Sequence, residues 1–187
     1  EPDEPDVGFR LVDDFETLNA GEIDGRNAWL ATENAVVISD PVDADNIVLR
    51  LEQGSTIADK VLTATIAEEA SGTLFFRLRR QGTQGVWAGV GDAAPPTEWT
   101  DLAVQTGYSV FTPGPFHVRD GNSVVVTAQT FAENTWYCVW LALDNEVDAY
   151  QVYVQGGEWD EPAKLSRFGD QTFDFYRNEE SLLETFS

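Results

Sequence analysis

The sequence predicts an all-β protein, a two-sheet antiparallel sandwich of the jelly-roll type. Apolar segments of four to nine residues recur along the chain and are separated by Gly, Pro, Asn and Asp. No stretch longer than ten residues carries convincing helical periodicity. Many short strands with turn signals between them are typical of two packed antiparallel sheets.

Thirteen segments have the composition of strands, because they combine period-2 or continuous apolar patterns with β-branched and aromatic residues. In chain order we predict strands at FRLVDDFE (9–16), AVVIS (35–39), IVLRLE (47–52), VLTATIA (61–67), TLFFRLRR (73–80), VWAGVG (86–91), DLAVQT (101–106), FHVRD (116–120), SVVVTAQ (123–129), WYCVWLAL (136–143), AYQVYVQ (149–155), FDFYR (173–177) and LLETF (182–186). WYCVWLAL is apolar on both faces, which indicates a central strand that is covered on both sides or meets a ligand on one.

The length and the N-terminal composition predict one folded domain with an arm. A chain of 187 residues fits a single domain, since sandwiches of this length are ordinary. Residues 1–8 open with the acidic, proline-bearing EPDEPD, which predicts an arm or linker. Residues 9–187 are expected to form a single β-sandwich domain.

The charge balance is strongly acidic. The chain has 33 acidic against 11 basic residues and a net charge of -22, which argues against nucleic acid as a partner. No stretch approaches the roughly 20 apolar residues that span a bilayer, so no membrane insertion is expected. The single cysteine, Cys138, is expected to be a buried thiol. The first residue is not methionine, which fits a mature product without its leader and equally fits a fragment. We expect an extracellular or cell-surface protein.

The stretch TWYCVWLALDNEVDAYQVYVQGG (135–157) predicts a β-hairpin and carries a resemblance. A strand that begins T-W-Y, a polar turn and a strand of the form Y-x-V-Y-V-x-G resemble the hairpin of concanavalin A-like sandwiches, in particular laminin G-like (LamG) domains of secreted bacterial proteins. Further segments agree, namely VDDFETL, IDGRNAW, DPVDADNIVLRL, GTLFFRLR and LSRFGDQTFDFYRN. The resemblance covers residues 12–178 and implies a fold that carries lectins, binding modules, lyases and hydrolases alike.

A face with aromatic and basic residues is the main candidate site. In TLFFRLRR, Phe75, Arg77 and Arg79 alternate with the apolar positions, so they share one face of a strand. Guanidinium groups bind carboxylate or sulfate, and flat rings bind sugar C–H surfaces. We predict glycan contacts at Phe75, Arg77, Arg79, Trp87, Trp99, Tyr108, His117 and Arg119. In the hairpin, Trp136 and Tyr153 are the rings expected near a ligand. The alternative is that the arginines pair with cross-strand acids and the tryptophans fill the core.

A structural calcium ion is also possible on the resemblance, because sandwiches of this general type often hold Ca²⁺ near the first strand. Hard oxygen ligands of the kind that Ca²⁺ prefers lie in the first third of the sequence. The candidate ligands are Asp14, Glu16, Asp40, Asp45 and Asn46, with Asp43 beside them. The alternative is that these side chains belong to the solvated acidic surface or cap turns.

Three functions fit these patterns. The leading hypothesis is an extracellular, non-catalytic domain that binds carbohydrate, including an anionic polysaccharide or a glycoconjugate. The first alternative is a structural subunit of a filament or surface layer that self-assembles through its sheet edges by strand exchange. The second is a polysaccharide lyase or glycoside hydrolase, with His117 as a proton-transfer group or a carboxylate pair such as Glu146 and Asp148.

Overall fold

The protein is all-β, as the sequence predicts. The structure, a computed structural model, describes residues 11–31, 34–52, 58–60 (backbone only), 71–82, 85–91, 102–108, 114–165 and 172–176. These residues contain fourteen strands and no helix. Every strand pair among them is antiparallel, in agreement with the expected sheet type.

The chain divides into two compact units, Glu1–Leu62 and Thr63–Ser187. The expectation of one domain over residues 9–187 stays a prediction. The first unit holds one sheet of order β1-β3-β4 and one pair β2-β5. Its strands are β1 (Gly21–Glu22), β2 (Trp29–Ala31), β3 (Ala35–Ser39), β4 (Ile47–Leu51) and β5 (Ala58–Lys60).

A small apolar cluster lies at the centre of the first unit. Ile23, Ala35 and Val37 are fully buried, and the side chains packed against them include Phe15 and Trp29. The Phe15 and Trp29 rings are 5.6 Å apart between centroids. The alternation of AVVIS therefore places Ala35 and Val37 on the core side of β3, as its period-2 pattern predicts.

The second unit contains two larger sheets. Sheet I has the order β13-β12-β11-β6, with β14 also paired to β12, and sheet II has the order β10-β9-β8-β7. The strands are β6 (Ser71–Arg79), β7 (Val86–Val90), β8 (Val104–Tyr108), β9 (Gly114–Asp120), β10 (Ser123–Phe131), β11 (Trp136–Asp144), β12 (Ala149–Gly156), β13 (Trp159–Lys164) and β14 (Phe173–Asp174).

One apolar core joins sheets I and II, which is consistent with a β-sandwich. Alternate residues of β11, from Tyr137 to Leu143, contribute from sheet I, and Phe116 and Phe131 contribute from sheet II. The Phe116 ring meets the Tyr137 ring edge-on at 5.5 Å between centroids. The Tyr137 hydroxyl also accepts a hydrogen bond from the Ala132 N–H at 2.8 Å, so this ring is held at both ends.

The predicted strand at 9–16 is wrong over residues 11–16, the part that the structure describes. Asp13 Oδ1 accepts a hydrogen bond from the Phe15 N–H at 2.9 Å, and Asp13 Oδ2 accepts one from the Trp29 indole at 2.8 Å. Phe15 has a φ of 64°, outside the extended region. The aspartate side chain therefore bonds the backbone locally in place of a neighbouring strand.

Most other strands follow the prediction, with shifted ends. The strand predicted at 101–106 lies at Val104–Tyr108, and the one predicted at 173–177 is shortened to Phe173–Asp174. β13 (WDEPAK) was not predicted, and neither were the short β1, β2 and β5. The predicted strands at 61–67 and 182–186 and the arm at 1–8 lie outside the described residues.

Candidate functional site

The outer face of sheet I, which points away from the shared core, forms an ordered grid of side chains. The odd-numbered residues of β11 are buried in the core, and the even-numbered residues lie on the outer face and are partly or fully exposed. Direct register partners on β6 and β12 extend each of these positions into a row across the sheet. In sequence order along β11 the rows are Arg79–Trp136, Arg77–Cys138–Gln155, Phe75–Trp140–Tyr153, Thr73–Ala142–Gln151 and Ser71–Asp144–Ala149.

The third of these rows, which we call the aromatic row, consists of Phe75, Trp140 and Tyr153 on three adjacent strands. The Phe75 and Trp140 rings are 5.1 Å apart between centroids, and Phe75 is 42% exposed. The Tyr153 hydroxyl donates a hydrogen bond to Gln151 Oε1 at 2.6 Å, which fixes the direction of the phenol. Lys164 on β13 continues the same row beyond Tyr153.

Beside the aromatic row lies the arginine pair, Arg77 and Arg79. Each guanidinium carbon is 5.0 Å from the centroid of the Trp136 ring, a distance at which a cation is attracted to an aromatic face. On β11 the register partner of Arg77 is Cys138 and that of Arg79 is Trp136, so neither arginine has an acid directly opposite it on that strand. Within the described residues the one ion pair joins Arg50 to Glu52, in the first unit.

Cys138 lies on this outer face, in register between Arg77 and Gln155. Its thiol is free and its exposure is intermediate. The expectation of a buried thiol is therefore wrong, because β11 turns Val139 and not Cys138 toward the core. The sequence pattern could not make this distinction, since both faces of WYCVWLAL are apolar.

Trp87 and His117, two further predicted glycan contacts, lie together on the outer face of sheet II. In register they flank Gly107, which has no side chain, and their rings are 6.0 Å apart between centroids. Partial burial lowers the pKa of the His117 imidazole below its ordinary value. This pair belongs to the other sheet from the arginine pair, so the predicted residues do not form a single site.

Tyr108 and Arg119 are buried, each with 3% of its surface exposed. Burial raises the pKa of Tyr108 to about 12, and the Arg80 guanidinium lies 4.9 Å from its ring centroid. Arg119 stacks on the Tyr176 ring at 3.7 Å and donates from Nε to the Gly121 carbonyl at 3.1 Å. Burial lowers the pKa of Arg119. Both residues support the sandwich from within, and Trp99 lies outside the described residues.

The predicted calcium ligands lie near one another in the first unit, but their oxygens serve the turns. Asp40 Oδ1 accepts from the Val42 N–H at 2.9 Å, Glu16 Oε1 from the Ile47 N–H at 3.1 Å, and Asp14 Oδ1 from the Glu16 N–H at 3.1 Å. Asn46 donates its side-chain amide to Asp40 at 3.5 Å, and Asp43 accepts from the Asp45 N–H at 3.3 Å. Over the described ranges no group of three or more His, Cys, Asp or Glu is placed to hold a metal ion. Calcium stays a prediction.

The structure adds Trp140 to the residues that the sequence predicted for the site, and it places Trp136 and Tyr153 on the face of the arginine pair. Trp140 was missed because a tryptophan in an apolar strand is read as core. The signal that could have found it is the strand register, which places Trp140 opposite the predicted Phe75. Stacking rings and guanidinium groups on one flat face are suited to binding a ligand by contact and charge.

Comparisons with protein-family models, with curated proteins and with solved structures found no match. Within the residues that the structure describes, no helix has the length and apolar character required to cross a membrane.

Proposed function

We propose that this chain is an extracellular, non-catalytic domain that binds carbohydrate through the outer face of sheet I. We further propose that the sandwich is a jelly roll of the concanavalin A-like or laminin G-like type, as the hairpin at 135–157 suggests. The observation that carries the function is the aromatic row, three rings in register on three adjacent strands.

The row has the dimensions and chemistry of a sugar platform. Adjacent strands are about 4.8 Å apart, so the three rings span about 10 Å across the sheet. Phe75 leaves 42% of its surface in water, so its ring is accessible to a ligand. Tyrosine and tryptophan combine an apolar ring with a polar edge, and sugar rings combine an apolar C–H face with polar hydroxyls.

Binding to a glycan array, followed by titration calorimetry on the best ligand, tests this function. We expect Phe75→Ala and Trp140→Ala each to weaken binding by about tenfold, because each removes one stacking surface. The matched control is Val126→Ala, since Val126 is an apolar strand residue that is 49% exposed on sheet II. Absence of binding to every glycan, or equal losses in the control, would contradict the proposal.

A second candidate, self-assembly through a sheet edge, is favoured by β10. Among the described residues β10 has β9 as its one hydrogen-bonded neighbour, and Val124 and Val126 on it are exposed. A long edge strand with exposed valines is a template for pairing with another chain. Light scattering on the whole chain and on a chain without residues 1–8 tests whether the arm supplies the added strand. Assembly that survives the deletion, or a monomer in both cases, would reject strand donation by the arm.

A further inference from the structure

The basic residues on the outer face of sheet I are exceptional for this chain. Acidic residues outnumber basic residues by 33 to 11, yet Arg77, Arg79 and Lys164 all lie on this one face. Of the residues in register on β6, β11 and β12, Asp144 is the carboxylate, and it lies two rows from the aromatic row, on the side opposite to Arg77. On β13, the exposed Asp160 accepts a hydrogen bond at its backbone carbonyl from Gln155, at the far end of the Arg77 row. The β6 side of the face, next to Phe75, therefore carries positive charge.

Among the described residues, Arg77 forms no ion pair with an acid. Within the described part of the chain, its guanidinium takes part in no hydrogen bond and no ion pair, and its one contact of this kind is with the Trp136 ring. Lys164 likewise has no ion pair among these residues. An arginine on a protein with a net charge of -22 has many possible carboxylate partners, so the choice of an aromatic partner keeps its donors available.

The contact with Trp136 also fixes the direction of the guanidinium. An arginine that already lies over an aromatic ring loses less side-chain entropy when a ligand binds, because the ring restricts its freedom beforehand. The five N–H donors of a guanidinium lie in its plane, and two of them fit the two oxygens of a carboxylate or of a sulfate group. Arg77 is thus suited to an oxyanion and not to a neutral hydroxyl.

The position of Arg77 matches an acid group carried by a bound sugar. Arg77 follows Phe75 by two residues on β6, so its Cα lies about 6.7 Å from that of Phe75 on the same face. The charged substituent of a sugar stacked on Phe75 would therefore extend over Arg77. Lys164 provides a second cation at the far end of the aromatic row, beyond Tyr153.

We propose that the ligand of this face is an anionic polysaccharide whose sugars stack on the aromatic row while a carboxylate or sulfate group binds Arg77. This inference rests on the proposed function and narrows it to one class of ligand. Carboxylate and sulfate present the same oxyanion chemistry to a guanidinium, so polyuronates and sulfated glycans are both members of this class.

Two pairs of polymers test the ligand class on the whole chain. Within each pair the two polymers share a backbone and differ in charge. The first pair is polygalacturonate and its fully methyl-esterified form, and the second is a sulfated galactan and its desulfated form. We expect the protein to bind at least one charged polymer about tenfold more tightly than its neutral counterpart, as calorimetry measures. Preference within the first pair assigns carboxylate, and preference within the second assigns sulfate.

Variants of Arg77 test whether this residue binds the acid group of the polymer. Arg77→Gln is expected to bring the charged and neutral polymers to nearly equal affinity, while Arg77→Lys keeps part of the preference. Arg50→Gln is the matched control, because it removes the same charge from an exposed arginine of the first unit. Circular dichroism verifies that each variant is folded.

The outcomes separate this inference from the proposed function. If both members of a pair bind equally and binding is lost in Phe75→Ala, the face binds carbohydrate but the assignment of an anionic ligand is overturned. If no polymer and no arrayed glycan binds, the proposed function and this inference fail together. A charge preference that survives in Arg77→Gln overturns the assignment of Arg77.

Discussion

Arg77, Arg79 and Arg80 are close together in the sequence but lie in different surroundings. Arg77 and Arg79 lie on the outer face of sheet I and stack on Trp136. Arg80, one residue further, is 1% exposed, stacks on Tyr108 and donates from Nε to the Gly82 carbonyl at 2.9 Å. At the end of β6, therefore, two arginines lie on the outer face of sheet I and the third supports the turn.

His117 gives a prediction about pH at the scale of one residue. Burial lowers its pKa in the folded state, so between that pKa and about 6.5 the unfolded chain binds a proton that the folded chain does not. The contribution of the neutral His117 to the stability of the fold is therefore fully present above about pH 6.5, and it is lost as the pH falls through the folded-state pKa.

The measurement is the free energy of unfolding in urea between pH 4.5 and 8, for the natural chain and for His117→Phe. Since His117 is the single histidine, the difference between the two curves isolates its titration from that of the 33 acidic residues. We expect the natural chain to lose stability relative to the variant as the pH falls. A constant difference would show that the imidazole has the same pKa in both states.

At the scale of the element, β11 shows why the sequence predicts strands better than faces. The run WYCVWLAL predicts a central strand, and the structure places it between β6 and β12. Its two faces are nearly equal in apolar character, so the sequence does not say that Tyr137 enters the core while Trp140 lies on the outer face. The neighbouring strand β6 decides this, because Phe76 must meet the core and Phe75 then lies outward.

The elements that the prediction missed have local physical causes. β13 contains Pro162 and two acidic residues, a composition that is poor for strands, and it pairs with β12 through an irregular register. FRLVDDFE has the composition of a strand, but the Asp13 side chain bonds the backbone and the indole of Trp29 instead. In each case a specific contact overrides the average preference of the segment.

Gly107 gives a prediction about strand spacing. A Cβ atom at this position would lie 2.0 Å from the Val86 carbonyl oxygen and 2.9 Å from the Trp87 Cα, both in the backbone of β7. Gly107→Ala is therefore expected to separate β7 from β8 and to destabilise the protein by about 3 kcal/mol, measured by urea unfolding.

The control for Gly107→Ala is Gly82→Ala. Gly82 has no atom within 4 Å of an added Cβ, but its φ of 78° is unfavourable for alanine. We expect a cost of about 1 to 2 kcal/mol there, from backbone strain alone. Equal costs at the two positions would mean that β7 moves away from the new methyl group without loss of packing.

At the scale of the whole molecule, the net charge of -22 acts against an anionic ligand at long range. The Debye length is about 30 Å at 0.01 M salt and about 8 Å at 0.15 M, so moderate salt screens the repulsion by the whole protein. Direct contacts with Arg77 act over much shorter distances. We expect the affinity for the charged polymer to rise between 0.01 and 0.15 M salt, as calorimetry measures.

The salt series has one control and one outcome that would contradict the expectation. The affinity for the neutral counterpart of the same polymer should stay constant, because no charge is carried by that ligand. An affinity for the charged polymer that falls steadily over this range would instead show that attraction by local cations dominates the repulsion by the rest of the protein.

The candidate site could be predicted from the sequence only in part, because some of its residues are brought together by the arrangement of strands in the whole molecule. Phe75, Arg77 and Arg79 were found because they alternate within a single strand, which is a local pattern. Trp140 and Lys164 join them through the order and register of strands, which local patterns do not contain. Tyr108 and Arg119 were misplaced because the sequence does not show which residues of sheet II meet the core.

The alternation of core and outer-face residues along β11 has an evolutionary consequence. The buried alternate residues hold the sandwich together, while their neighbours on the outer face contribute little to that core. Substitutions at Trp136, Trp140 and their register partners on β6 and β12 are therefore expected to disturb that core less than substitutions at Tyr137 or Val139. One scaffold could in this way diversify into a set of proteins with different ligand preferences, whereas a one-residue insertion in β11 would exchange the two faces and abolish both roles.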